Sequence, residues 1–348
     1  MSKKRISLLL YILVISLALI GCTDTFYENE DYEGKLAIHF IDVGQGDSTL
    51  IQFPNGEVSL IDGGTRNNGE KVVEYLQKLR IKKIDYLIAT HPHEDHIGGL
   101  PKVVKNFEIG KVYMPNKTAN TRIFEELLSE IDNKGLKITL AKGGDTIIDE
   151  GQLKYTVLAP NREDYDNTNN FSIVTKVKYK NNSFIVTGDA EKESELEMLQ
   201  GNYDLKANVL RVGHHGSSTS SIDEFIEEVD PEHAVISLGK DNTYGHPHTE
   251  IVDKFSKMEI NILRTDELGN IVFISDGSKI ELVNAVDFPN GNVENNDLET
   301  GKYIGNVNTK IVHTKDCGSL PKKENQIMFD SLEEALKNGY KPHEKCVK

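Results

Sequence analysis

The chain has 348 residues, enough to bury a full core and leave room for a second small unit. With 38% hydrophobic and 27% charged residues it has a globular composition, which sets aside both a disordered chain and a multi-span membrane protein. Its formal charge of −15 repels polyanions, so a nucleic-acid substrate needs a local basic groove or metal ions to offset that field.

The first residues read as a targeting segment. Lys3, Lys4 and Arg5 form a basic start, residues 6–20 are almost wholly apolar, and Leu19-Ile20-Gly21-Cys22 closes the run. This resembles a bacterial lipoprotein signal (1–21) with its lipobox. The resemblance implies cleavage before Cys22, a diacylglyceryl thioether on that sulfur and attachment to the outer face of a bacterial membrane. A plain transmembrane anchor is the other reading, for which the apolar run is short. Residues 22–34, polar and acidic, then form a tether.

From Lys35 onward short β-like runs alternate with turns and helices. Strands are predicted at 36–41, 48–53 and 58–61, with Pro54-Asn55-Gly56-Glu57 as a turn, then a helix over 70–79 and a buried strand over 85–89. That strand runs into Thr90-His91-Pro92-His93-Glu94-Asp95-His96-Ile97-Gly98-Gly99, predicted as a loop at the carboxyl end of a strand, where open α/β layers place their chemistry. A strand at 111–114, a helix at 122–134 and a strand at 153–158 follow. Next come strands 172–179 and 184–187, a hairpin around Asn181-Asn182. Helices at 191–200, 222–229 and about 250–257 alternate with strands at 209–212, 234–238 and 260–264, and strands 270–275 and 279–283 finish the unit. Two strand-rich halves flanked by helices predict an αββα sandwich over residues 35–284. Residues 285–300 are rich in Asn, Gly, Pro and acidic side chains and read as a linker. Residues 301–348, with nine lysines against six acidic residues, form a basic unit opposite in sign to the rest.

Four potential ligands within six residues, His91, His93, Asp95 and His96, suit two divalent ions a few ångströms apart. A lone histidine is usually solvated or a core residue. This cluster is different, because packing imidazoles and a carboxylate together costs free energy unless a cation compensates. The segment resembles the H-x-H-x-D-H signature of the metallo-β-lactamase superfamily. Leu60-Ile61-Asp62-Gly63-Gly64 and Thr187-Gly188-Asp189-Ala190 are similar to two further motifs of that superfamily, in the expected order. A finer likeness is to the soluble hydrolase domain of the ComEC competence proteins. It lies in Phe40-Ile41-Asp42-Val43-Gly44-Gln45-Gly46-Asp47-Ser48, Asn169-Asn170-Phe171-Ser172-Ile173, Gly213-His214-His215-Gly216-Ser217, Ser237-Leu238-Gly239 through Tyr244-Gly245-His246-Pro247-His248, and Arg264-Thr265-Asp266 with Gly269. It spans roughly residues 35–283, without the long hydrophobic segments of a ComEC channel, so it implies hydrolysis and not DNA transport.

The resemblance implies an α/β fold, the αββα metallo-β-lactamase sandwich. It also implies two divalent ions, zinc or manganese: one at His91 and His93, the other at Asp95 and His96, with Asp189 bridging and Asp62 supporting the histidine loop. His214 or His215 completes the second position; which one is left open. Where the wider superfamily has a third histidine at the first position, this sequence offers Asn170 and Ser172. Two such ions make a hydroxide from a shared water and clamp a phosphodiester, with Asp95 orienting the water. His246 or His248 either serves the leaving oxygen and phosphate or pins a loop. Asp47, on a Gly-rich turn, is expected beside the metals as a supporting or substrate group.

In the basic unit, His313 and Cys317, with His343 and Cys346, read as a structural zinc site; a Cys317–Cys346 disulfide is the alternative. With Tyr303-Ile304-Gly305-Asn306, a capped helix over 329–335 and Gly339-Tyr340-Lys341-Pro342, the unit resembles the small α+β zinc-binding domain of the Ada DNA-repair protein, in the form appended to nucleases. These readings together point to a surface-anchored, metal-dependent phosphodiesterase whose partner is DNA or another phosphodiester. The alternatives are a phosphorylcholine or teichoic-acid esterase, a lactonase or β-lactamase-type hydrolase, and a surface lipoprotein that binds nucleic acid without cleaving it.

Overall fold

The structure is a computed structural model that describes residues 32–285 and, in the C-terminal unit, 303–306, 309–314, 317, 320–321, 326–329, 332–337, 340–343 and 346–347. The predicted signal, Cys22, most of the tether and the predicted linker lie outside the described residues. The chain divides into two compact units, residues 1–290 and 291–348.

Strands β1 (Leu36–Phe40), β2 (Thr49–Gln52) and β3 (Val58–Ile61) form an antiparallel meander. Helix α1 (Gly69–Lys78) then crosses to β4 (Lys83–Ile88), parallel to β3. Two short helices, α2 (Glu94–Ile97) and α3 (Leu100–Asn106), lead to β5 (Glu108–Met114), and α4 (Arg122–Asn133) leads to β6 (Ile138–Leu140). The second sheet is built from β7 (Thr146–Glu150), β8 (Leu153–Ala159), β9 (Val174–Tyr179) and β10 (Asn182–Val186). It continues through α5 (Lys192–Gln200), β11 (Val209–Arg211), α6 (Asp223–Val229), β12 (His233–Ile236), α7 (Thr249–Lys257) and β13 (Asn261–Arg264). After α8 (Thr265–Leu268) the chain returns to the first sheet as β14 (Asn270–Ser275) and β15 (Ile280–Ala285). The strand orders are β15-β14-β1-β2-β3-β4-β5-β6 and β13-β12-β11-β10-β9-β8-β7.

Side-chain alternation turns these sheets into layers. Leu36, Ile38 and Phe40 of β1 meet Phe184 and Val186 of β10, Val209 of β11 and Val235 of β12 between the sheets. Residues of the opposite parity face outward. Leu50 and Leu60 pack under Val72, Val73 and Leu76 of α1, Val103 of α3 and Leu127 of α4. Ile185, Leu210 and Ala234 pack under Met198, Phe225, Ile226 and Phe255 of α5–α7. The result is the predicted αββα sandwich. Among the described residues no helix is long and apolar enough to cross a membrane.

Several elements escape the hydrophobic pattern. Helix α3 opens with Pro101 in its first turn, a position that tolerates proline but that reads as a breaker. Strand β6 is exposed along its whole length and β7 buries only Ile148, so neither shows the alternation that announces a strand. Within the metal motif, the expected loop holds one helical turn, α2. In the C-terminal unit β16 (Tyr303–Asn306), β17 (Ile311–Thr314), β18 (Gln326–Phe329) and β19 (Lys341–Pro342) form a sheet ordered β18-β16-β17-β19, with α9 (Leu332–Lys337) beside it. Phe329, expected in the helix, ends β18. Among the described residues of this unit Val312, Phe329, Ala335 and Tyr340 form a small apolar cluster, and units this small usually rely on a staple as well.

Candidate metal centre

The parallel strands β3, β4, β10, β11 and β12 each deliver one segment to a single site beyond their carboxyl ends. These segments carry Asp62, residues 90–96, Asp189, residues 213–215 and Ser237. Their approach is close. A side chain at Gly99 would stand 2.0 Å from the Gly63 carbonyl, and one at Gly46 would stand 2.3 Å from the Asp95 carbonyl.

Asp62 organises the histidine segment. Fully buried and in the left-handed region at φ 58°, it accepts from the Thr90 amide at 2.8 Å, the Thr90 hydroxyl at 2.6 Å and His96 Nδ1 at 2.7 Å. Burial pushes its pKa above the ordinary carboxylate value, and His96 and the Thr90 donors counter that only in part. Because Nδ1 of His96 donates to Asp62, the lone pair of Nε2 points the other way. His215 is set similarly: Nδ1 lies 2.8 Å from the Ser237 carbonyl, leaving Nε2 as the acceptor. Ser172 Oγ accepts from the Asp189 amide and lies 3.2 Å from His91 Nδ1, orienting both.

The acceptors so aimed converge. His96 Nε2 lies 3.1 Å from Asp189 Oδ2 and 4.0 Å from Asp95 Oδ2; His215 Nε2 lies 3.3 Å from Asp95 Oδ2 and 3.5 Å from Asp189 Oδ1. One donor atom from each of Asp95, His96, Asp189 and His215 falls within 4.8 Å of all the others. A tetrahedral zinc with Zn–N and Zn–O of about 2.0–2.2 Å holds such donors about 3.4 Å apart. His96 Nε2, His215 Nε2 and Asp189 Oδ1 are buried and have no hydrogen-bond partner, an arrangement that costs free energy unless a cation fills it. This donor set fits a divalent metal.

Protons take the cation's place when it is absent. Burial pushes His96 down, but Asp189, Asp62 and Asp95 outweigh it and hold its pKa well above the ordinary imidazole range; His215 is raised likewise by Asp189 and Asp95. Burial pushes Asp189 and Asp95 up, and the facing histidines more than offset it, so both fall below the usual carboxylate range. His91, desolvated and next to His96, is lowered and stays neutral.

The first position is less complete. His91 Nε2 lies 3.0 Å from His93 Nδ1 and 3.8 Å from Asp189 Oδ2, but His93 does not join the four-donor group. Asn170 is turned away, its Oδ1 accepting from the amides of Glu191 and Ser194 ahead of and inside α5. His214, a quarter exposed, places Nδ1 2.9 Å from Glu191 and Nε2 4.0 Å from Asp189, so His215 is the member of the pair within the donor group. His246 stacks beside His215 at 6.2 Å, with its Nδ1 buried and unpartnered; burial and the neighbouring His215, His214 and His248 pull its pKa down to about 4. His248 precedes α7 and its Nδ1 accepts from the Ser218 amide, which is the loop-pinning role. Asp47 is buried behind His96, paired with Arg211. Sequence reasoning missed Arg211 and Glu191. The signal for Arg211 was its parity: on β11 it shares the inner face with Val209. Glu191 had none.

In the C-terminal unit His313, Cys317, His343 and Cys346 also bring four donors within 4.8 Å. Around the ring the N–S separations are 3.3, 3.4, 3.2 and 3.9 Å, against about 3.5 Å for a zinc with Zn–S of about 2.3 Å and Zn–N of about 2.0–2.1 Å. Both cysteines are thiols in the structure, so the disulfide alternative is not formed. Desolvation raises Cys346, but hydrogen bonds involving Cys317, Thr314 and His343 bring it down to about 7.

Residues 41–240 match the metallo-beta-lactamase superfamily, more than half of the chain. The chain belongs to this superfamily. Residues 293–348 match the metal binding domain of Ada. Within the superfamily the chain is 35% identical over 275 residues to ComE operon protein 3 of Bacillus subtilis, which covers 73% of this chain and 35% of that protein. It is 30% identical to competence protein ComA of Neisseria gonorrhoeae (69% and 32% covered) and 29% identical to recombination protein 2 of Haemophilus influenzae (66% and 28%). The chain therefore spans about a third of the length of these relatives. Its sequence is related to competence proteins, and it carries a His/Asp cluster that fits a divalent metal and a His2Cys2 cluster suited to zinc.

The linked titrations predict how metal and pH trade off. The raised imidazoles of His96 and His215 contribute stability that is full below about pH 6.5 and is lost as pH rises through their folded values. The lowered carboxylates act above about pH 3.8. Metal-free protein therefore weakens as pH climbs past neutrality, while bound metal replaces the departing protons. On a Cys317→Ser background, the melting-temperature gap between zinc-loaded and chelator-treated protein widens from pH 6.5 to 9. A constant gap would mean that the site carries no exchangeable protons.

Proposed function

We propose that this chain is a surface-anchored phosphodiesterase that cleaves DNA with a two-metal site. The observation that carries the reading is the convergence of unpartnered buried acceptors on His96, His215 and Asp189 at a mouth that Asp95 leaves open, its side chain 30% exposed. In this reading Asp95, His96, Asp189 and His215 hold one ion, and His91 and His93, sharing Asp189, hold the other. When bound, the ions supply a water acidified towards neutrality and positive charge for phosphoryl oxygens. Asp95 accepts and orients an O–H at the open side. His246, neutral at physiological pH, offers a ring N–H to a substrate oxygen, and His214 stands ready beside it, oriented by Glu191. The DNA assignment draws on the names of the relatives, which include competence and recombination proteins, and on the basic, Ada-type C-terminal unit.

One observation favours a second reading. The formal charge of −15 suits a small ester, such as a phosphorylcholine or teichoic-acid phosphodiester, better than a long polyanion. Incubating the purified chain with manganese or zinc against linear DNA, bis-p-nitrophenyl phosphate and a cephalosporin separates the possibilities. Cleavage of DNA is expected. Ester cleavage alone would favour the small substrate, cephalosporin turnover a β-lactamase-type activity, and DNA binding without turnover a capture protein. Asp189→Ala is expected to lose hydrolase-unit metal and more activity than the ~10–100-fold typical of residues that merely support a metal ligand.

We further infer that Cys22 carries the lipid anchor, on the strength of the basic start, apolar run and lipobox. Cys22→Ala is expected to abolish lipid labelling and release the protein from the membrane fraction. Unchanged membrane association without lipid would point to a spanning signal anchor.

A further inference from the structure

Arg211 has no place in the roles described so far. It ends β11, where alternation puts it on the inner face with Val209, and its side chain is completely buried. A guanidinium is never neutral there, so its burial is unfavourable unless fixed partners surround it. Three acceptors supply them: Nη2 pairs with Asp47 Oδ2, and Nη1 donates to the Gly188 carbonyl and lies 3.7 Å from Asp189 Oδ1. Nη2 also lies 3.1 Å from His215 Nδ1, whose proton goes to the Ser237 carbonyl, and Nε is buried without a hydrogen bond.

The pairing with Asp47 has a specific consequence. His96 faces carboxylates on both sides: Asp95 and Asp189 on the Nε2 side, Asp62 and Asp47 on the Nδ1 side. Asp47, Asp62 and His96 by themselves form a second cluster of possible metal donors. Asp47 Oδ2 stands 3.7 Å from His96 Nδ1, and its Oδ1 is buried without a hydrogen bond. Left alone, this carboxylate would compete for a cation or turn His96 over. Its backbone is also tied to the ligand loop, its amide donating to the Asp95 carbonyl at 3.1 Å.

We propose that Arg211 is a positioning residue: a built-in cation that neutralises Asp47 and keeps it out of the ligand set while fixing the Gly188 carbonyl, so that Asp189 presents its oxygens to the metal. The exogenous ion is thereby confined to the Nε2 side of His96. The claim concerns metal binding, so it stands or falls independently of whether the substrate is DNA.

The test uses the full chain on a Cys317→Ser background and compares Arg211→Met, Arg211→Lys, Asp47→Asn and the Arg211→Met/Asp47→Asn double variant. Zinc affinity is read by competition with a chromophoric chelator, the ligand field by the cobalt(II) absorption spectrum, and folding by the melting temperature of metal-free protein. Arg211→Met is expected to weaken zinc about 10–100-fold and alter the cobalt spectrum, as loss of a supporting partner does. Arg211→Lys should retain part of the affinity. Adding Asp47→Asn to Arg211→Met should recover most of the loss, because the charge that needed neutralising is gone. Wild-type affinity and spectrum in Arg211→Met would overturn the proposal. So would a double variant no better than Arg211→Met, or one that fails to fold alongside it, since Arg211 would then serve the fold irrespective of Asp47.

Discussion

His96 is the residue on which the rest of the site depends: a fully buried imidazole held at 2.7 Å by Asp62 through Nδ1 and facing Asp189 at 3.1 Å through Nε2. The first contact decides what the second can be. With Nδ1 donating inward, Nε2 has only a lone pair or a titratable proton to offer outward. Asp62 in turn is fixed by Thr90, the residue that begins the histidine motif, so one carboxylate sets both the path of the loop and the orientation of its deepest ligand.

Such a network tolerates little movement, and the fold supplies the rigidity. The ligands sit just beyond five strands whose opposite faces are packed, one between the sheets and one under helices. Glycines at 46, 63 and 99 let the connecting segments approach to distances a side chain would forbid. The site is rich in carboxylates, and the protein offsets them in two ways: exchangeable protons or metal on the Nε2 side of His96, and the permanent charge of Arg211 behind it.

Much of this was legible in the sequence. The αββα layering follows from strand alternation and amphipathic helices, and the order of the Asp62, His91–His96, Asp189 and His214-His215 segments places them after strands. The short exposed strands β6 and β7 carry no apolar period, and they were missed for that reason. The choice between His214 and His215 was invisible because both follow the same strand. It rests on their left-handed backbone, φ 48° and 54°, which sends one ring to Glu191 and the other to the donor cluster. Asn170, expected as a candidate at the first metal, is instead spent on the amides that start α5. His246 and His248 look equivalent in sequence, but only His248 has a loop amide to hold.

The central claim is that the acceptors meeting at Asp95, His96, Asp189 and His215 form a metal position. Anomalous diffraction at the zinc edge from crystals of zinc-loaded protein tests it most directly. The account predicts a peak about 2.0–2.2 Å from His96 Nε2, His215 Nε2 and an oxygen of each carboxylate. Zinc found in the C-terminal cluster but not at these four residues, in fully loaded crystals, would contradict it.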